Sequence, residues 1–208
     1  RVAGLAYGDV GPLQWSSEAA RKVDFFDVKA DVQALLAPRR ATFEPATHPA
    51  MHPGRCARVL LDGVAIGFVG ELHPRWRQAE GWQQAPVLFE LDLPAVLARE
   101  VAQAQPVPRH QPVERDLAVV VNESVTHAAL MAAIRGSDVD GLLKSAVLFD
   151  VYRAKKGVEV PGLAADEKSL AVRLTLESSE ATLTDEQIDG VVQAALAALQ
   201  QQVGARLR

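Results

Sequence analysis

The 208-residue sequence predicts an α+β protein built as two modules. Three observations predict it. Some stretches carry apolar residues at helical spacing, while others are short β-branched runs or alternate. A segment without apolar periodicity and with three prolines, Arg99 to Asp116, divides the chain. After it, the elements are ordered βαββαβ, the split arrangement that gives a ferredoxin-like, four-stranded antiparallel sheet with both helices on one face. The predicted modules are residues 1–104 and 113–208, with a semi-rigid linker over 105–112.

In the first module, "DFFDVKADVQALL" sets Phe25, Val28, Val32, Leu35 and Leu36 at helical spacing, with Asp24 as cap and Pro38 closing the helix. "HPGRCARVLLDGVAIGFVGELHP" then raises a choice between metal site and scaffold. His48, His52 and Cys56 are four apart, which would align three ligands on one helix face. Pro49 and Pro53 forbid that helix, and nothing nearby supplies further converging ligands. Ala57–Leu61 and Val64–Val69 flank Asp62-Gly63, a favoured two-residue turn, so a hairpin is expected with the histidines as turn residues at its base. "PVLFELDLPAVL" reads as a strand over Val87–Leu93 and a short helix. These strands are too few for a full sheet, and the module is expected to be part of a larger domain.

In the second module, Leu117–Val121 is a strand, and "THAALMAAIRG" is a helix capped by Thr126 and stopped at Gly136. "AVLFDVYR", within Leu143–Arg153, is the second strand and Lys168–Glu177 the third, separated by the polar excursion "AKKGVEVPGLAAD". A long amphipathic helix follows, with Thr184 and Gln187 spaced for a capping box, and "GARLR" supplies a last strand.

Strict alternation assigns the faces of this sheet. Leu117, Val119 and Val121, then Val147, Phe149 and Val151, then Leu170, Val172, Leu174 and Leu176 should point to the helices. Ala118, Val120, Leu148, Asp150, Tyr152, Ser169, Ala171, Arg173 and Thr175 are left on the open face. One aromatic ring among short polar and small side chains suits an unstacked RNA base. One stack gives about 1 to 3 kcal/mol, so phosphate contacts are also needed. Arg153, Lys155, Lys156, Lys168, Arg173, Arg206 and Arg208 are the candidates. A solvated sheet face or a protein interface is the alternative.

Composition narrows the class. With 49% hydrophobic and 23% charged residues the chain is an ordinary globular one, and no run is long and apolar enough to span a bilayer. Residues 1–104 hold eleven Lys and Arg against twelve Asp and Glu, net −1; residues 105–208 hold eleven against fourteen, net −3. Neither half grips nucleic acid by bulk charge. A single cysteine, Cys56, excludes an internal disulfide and suits a reducing, cytoplasmic setting as a small buried apolar residue. No initiator Met is present and the chain opens abruptly in apolar sequence, as expected of a piece of a longer polypeptide. No phosphate cradle, carboxylate pair with metal geometry or activated nucleophile is visible.

The motifs "RDLAVVV", "LFDVYR", "EKSLAVRLTL" with "TLTDEQID", and "GARLR" resemble, in this order over residues 109–208, the anticodon-binding module at the C-terminus of the bacterial phenylalanyl-tRNA synthetase beta subunit. "DFFDVKADVQALL", the "HPGRCARVLL" segment and "VLFELDL" are similar to the end of that subunit's class II synthetase-like module. The resemblance implies the C-terminal part of the subunit: a partial synthetase-like antiparallel-sheet module, catalytically silent, followed by a ferredoxin-fold anticodon-binding domain. It implies an α2β2 heterotetramer with the alpha subunit that attaches phenylalanine to tRNA(Phe), using ATP and Mg²⁺ bound outside this fragment. It places anticodon contacts on Tyr152, which would stack on the first base, on Asp150 and Ser169 as polar groups, and on Ala118, which would allow close approach. Arg115 and Asp116 would pair at the module entrance. Ala154 departs from the glycine of many relatives, and the excursion 155–167 is longer than usual. A small-ligand regulatory module and a pure assembly element are the other functional classes that fit the fold.

Overall fold

A computed structural model of the chain describes residues 1–12, 14–15, 21–98, 101, 104, 109–138, 140–154 and 160–208. The chain divides into two compact units, Arg1–Gln103 and Ala104–Arg208. The linker expected over 105–112 falls partly outside the described residues.

In the first unit, helix α1 (Phe25–Leu36) begins where the Asp24 carboxylate accepts the amides of Phe26 and Asp27 while the Asp27 carboxylate accepts the amide of Asp24. This reciprocal box satisfies amides that have no partner within the helix. The apolar stripe Val28, Val32 and Leu36 is buried in one core with Val59, Val69 and Leu91. Strands β3 (Met51–Leu61) and β4 (Val64–Leu72) form the expected hairpin, and Asp62 and Gly63 take φ of 51° and 79°. Two successive positive φ values match the twist of the paired strands.

The histidines of the three His-Pro pairs are turn and cap groups. His48, His52 and His73 each accept, through Nδ1, the amide two residues on, from Ala50, Gly54 and Arg75 at 3.2, 3.0 and 3.1 Å. Proline carries no N–H, so the first amide beyond it is the one within reach. His73 thereby caps helix α2 (Pro74–Ala79).

Two features differ from expectation. The sheet has five antiparallel strands among the described residues, ordered β1-β5-β4-β3-β2, because Val2–Ala6 (β1) and Ala41–Pro45 (β2), not expected as strands, pair at its two ends. Both are five residues long and gain their ladders only from β5 (Val87–Leu91) and β3. In addition β5 stops at Leu91 rather than Leu93, since Asp92 and Pro94 start helix α3 (Leu93–Leu97). At Gly67 in β4 the neighbouring strand β5 lies so close that a Cβ would collide with the Glu90 carbonyl.

In the second unit, β6 (Val113–Asn122), α4 (His127–Gly136), β7 (Leu143–Tyr152), β8 (Glu167–Leu176), α5 (Asp185–Val203) and β9 (Arg206–Leu207) follow the expected order. The antiparallel sheet runs β7-β8-β6-β9. Thr126 caps α4 by accepting from Ala129, and Thr184 with Gln187 completes the box on α5, which ends at Gly204 with φ 65°. Leu130 and Ile134 of α4, and Ile188, Ala195 and Leu199 of α5, share one core with Leu117, Val119, Leu170, Val172, Leu174 and Leu176. Both helices therefore cover one face and leave the other uncovered by helix.

Candidate nucleic-acid interface

Register against β8 decides what the open face carries. Strand β8 alternates without interruption, burying Leu170, Val172, Leu174 and Leu176. Opposite it, β7 carries register irregularities at Lys144 and at Phe149. Before the second, Ala146 pairs with Leu174 and Leu148 with Val172, so both point to the core, while Val147 pairs with Arg173 on the open face. After it, Asp150 pairs with Ala171 and Tyr152 with Ser169, again on the open face.

Strict alternation along β7 is thereby corrected. Val147 and Phe149 are not inward but 55% and 53% exposed, and Leu148 is not outward but packs against the core. Val151 keeps the inward register opposite Leu170 yet remains 40% exposed. The physical reason is a bulge: one extra residue on one strand reverses the facing of everything beyond it. The missed signal is that "AVLF", residues 146–149, is apolar at four consecutive positions and so leaves the parity of β7 open, while β8 alternates strictly.

The last residue of the chain joins most of the candidate positions. The Arg208 amide donates to the Ala118 carbonyl, its Nη1 donates to Ser169 Oγ at 3.3 Å, and its guanidinium carbon lies 5.3 Å from the Tyr152 ring centroid. From β9 at one edge this side chain crosses the open face towards β7 at the other. Ser169 is consequently 4% exposed, while Tyr152 retains 38% and Ala118 is exposed. Val120 has the open-face register but is buried at 1%. Asp150 is exposed and makes no ion pair among the described residues.

Of the phosphate candidates, three arginines are engaged by carboxylates. Arg153 donates to Glu123 at 2.8 to 3.1 Å, Arg206 to Glu167 and the Gly162 carbonyl, and Arg173 to Asp116 through Nε and Nη2, both at 2.8 Å. Lys168 is 8% exposed and donates to the Glu123 carbonyl oxygen. Lys155 and Lys156 lie outside the described residues. These pairings leave marks on acidity. The Arg173 hydrogen bonds hold the Asp116 carboxyl below its usual range, and those from Arg153 do the same to Glu123. Glu167 is lowered first by the Ala164 amide and then by Arg206. Arg115 and Asp116 do not pair with one another, because consecutive strand residues face opposite sides; Arg115 donates to the Glu114 carbonyl instead.

Among the described residues no three His, Cys, Asp or Glu side chains converge as a metal site, and no helix is long and apolar enough to cross a membrane. Burial pushes the Cys56 thiol up, consistent with a packed apolar role.

Comparison with known proteins follows the same division. Residues 1–93 match the family model described as the phenylalanyl tRNA synthetase beta chain CLM domain, and residues 108–208 match the ferredoxin-fold anticodon binding domain. Over its full length the chain is 50% identical to the phenylalanine–tRNA ligase beta subunit of Chromobacterium violaceum. It is 44% identical to that of Nitrosospira multiformis and 46% to that of Burkholderia pseudomallei. In each case the whole chain aligns, and it spans about a quarter of the relative's length.

Proposed function

We propose, from the premise that this chain belongs to the phenylalanyl-tRNA synthetase beta-chain family, that its second unit recognises the anticodon of tRNA(Phe). Tyr152 supplies the stacking platform, with Asp150, Ser169 and Ala118 around it. The first unit serves as scaffold. The complete assembly, an α2β2 heterotetramer with an alpha subunit, joins phenylalanine to tRNA using ATP and Mg²⁺, and none of that chemistry is assigned to residues of this chain.

The observation that carries the proposal is an exposed Tyr152 ring on the helix-free side of the sheet, linked through Arg208 to the Ser169 hydroxyl, on a face that also carries the exposed Ala118 of β6. A flat ring accepts any base by stacking, and small neighbours let the base approach. The acidic balance of this unit, net −3, and the carboxylate partners of Arg153, Arg173 and Arg206 argue against binding by charge alone. Stacking is therefore expected to carry a large share of the affinity.

Titrating the chain with an anticodon stem-loop of tRNA(Phe) tests this. Tyr152→Ala is expected to weaken binding by about 1 to 3 kcal/mol, the range for loss of one base–aromatic stack. Unchanged binding, with circular dichroism showing an intact fold, would remove Tyr152 from the interface.

A further inference from the structure

The open face carries a second exposed ring, placed there by the β7 bulge. Phe149 is 53% exposed, and the guanidinium carbon of Arg173 lies 5.3 Å from its ring centroid. Arg173 itself donates two hydrogen bonds to the Asp116 carboxylate and lies 3.4 Å from Glu114. The guanidinium is thus anchored beside the ring, about half of whose residue surface stays open to solvent. A cation anchored behind an aromatic ring stiffens it as a platform.

Phe149 is not packed into either hydrophobic core. Asp116 and Glu114 of β6 are paired with Arg173, while Asp150, next to Phe149 in β7, is exposed. Its carboxylate oxygens are acceptors for the N–H donors of a nucleobase edge. Tyr152 lies three positions beyond Phe149, a span of about 10 Å at roughly 3.3 Å per strand residue. Sheets that read single-stranded RNA seat two or three bases on aromatic rings of neighbouring strand positions.

We infer that Phe149, backed by Arg173, is a second base-stacking position on the same face, so that the chain seats two bases of one RNA loop. The inference rests on the anticodon-binding proposal and adds a residue to it. Nothing in the apolar periodicity of β7 points to this role; it exists because the bulge turns Phe149 away from the helices.

The test uses the chain and an anticodon stem-loop of tRNA(Phe) carrying 2-aminopurine at one loop position at a time. Phe149→Leu keeps an apolar, strand-compatible side chain but removes the ring, and is expected to weaken binding about five- to hundred-fold, with Phe149→Trp restoring it. A second 2-aminopurine position, distinct from the one sensitive to Tyr152→Ala, should lose its quenching in Phe149→Leu. In the unaltered protein the Phe149 ring protons should shift upfield on adding RNA, a measurement that does not depend on any variant folding. If Tyr152→Ala weakens binding while Phe149→Leu does not and the Phe149 ring protons stay put, the second seat is refuted and the first survives. Equal losses in Phe149→Leu and Phe149→Trp would refute stacking at Phe149 and point to a protein contact. No binding by the unaltered chain would overturn both.

Discussion

Exchanging adjacent residues of β7 for alanine tests the bulge directly. Leu148 packs against the core formed by both helices, whereas Val147, opposite Arg173, is 55% exposed. Leu148→Ala removes three carbons from a largely buried site. At about 0.8 kcal/mol per buried carbon, discounted for partial exposure, the cost is about 2 kcal/mol, the low end for core leucines. Val147→Ala removes two carbons that are half in water, and about 0.5 kcal/mol is expected. The readout must belong to the second unit. Tryptophan fluorescence does not serve, because Trp15, Trp76 and Trp82 all lie in the first. Hydrogen exchange of the β8 amides, residues 167–176, followed through a urea series, reports the unit that contains the change. A cost for Val147→Ala equal to or above that for Leu148→Ala would mean that β7 alternates regularly, and the placement of Phe149 on the open face would fall with it.

Two further outcomes follow from the first unit, beside those given above for Tyr152 and Phe149. The Asp27 carboxyl is held at about 2, first by hydrogen bonds from Arg21 and then by the Asp24 amide. Its folded value lies below the unfolded one of about 3.9, so its contribution is complete above about pH 4 and is lost as pH falls towards 2. Tryptophan fluorescence of acid unfolding should show this part of the profile flattened in Asp27→Asn, and an unchanged profile would rule the pair out. Gly67→Ala sets a Cβ against the Glu90 carbonyl, which backbone cannot yield without separating β4 from β5. A loss of about 1 to 3 kcal/mol is expected, measured by urea unfolding followed through the tryptophans, and a neutral result would contradict that close approach.

The amino-acid sequence already held most of the framework, because its signals are local. Asp24 before a helical apolar stripe, Asp62-Gly63 between β-branched runs, and Thr184 three residues before Gln187 each satisfy nearby backbone groups, and each appears where its chemistry requires. Element order was legible for the same reason, and with it the ferredoxin-like sheet. What the sequence did not determine is what depends on partners distant in the chain. The edge strands Val2–Ala6 and Ala41–Pro45 exist by virtue of the ladders they complete. The facing of Val147, Leu148 and Phe149 hangs on a bulge defined only against β8, and Arg208 meets Ser169 and Tyr152 only because β9 closes the sheet. Apolar periodicity says which side chains avoid water, but register is a relation between two strands, and neither strand encodes it alone.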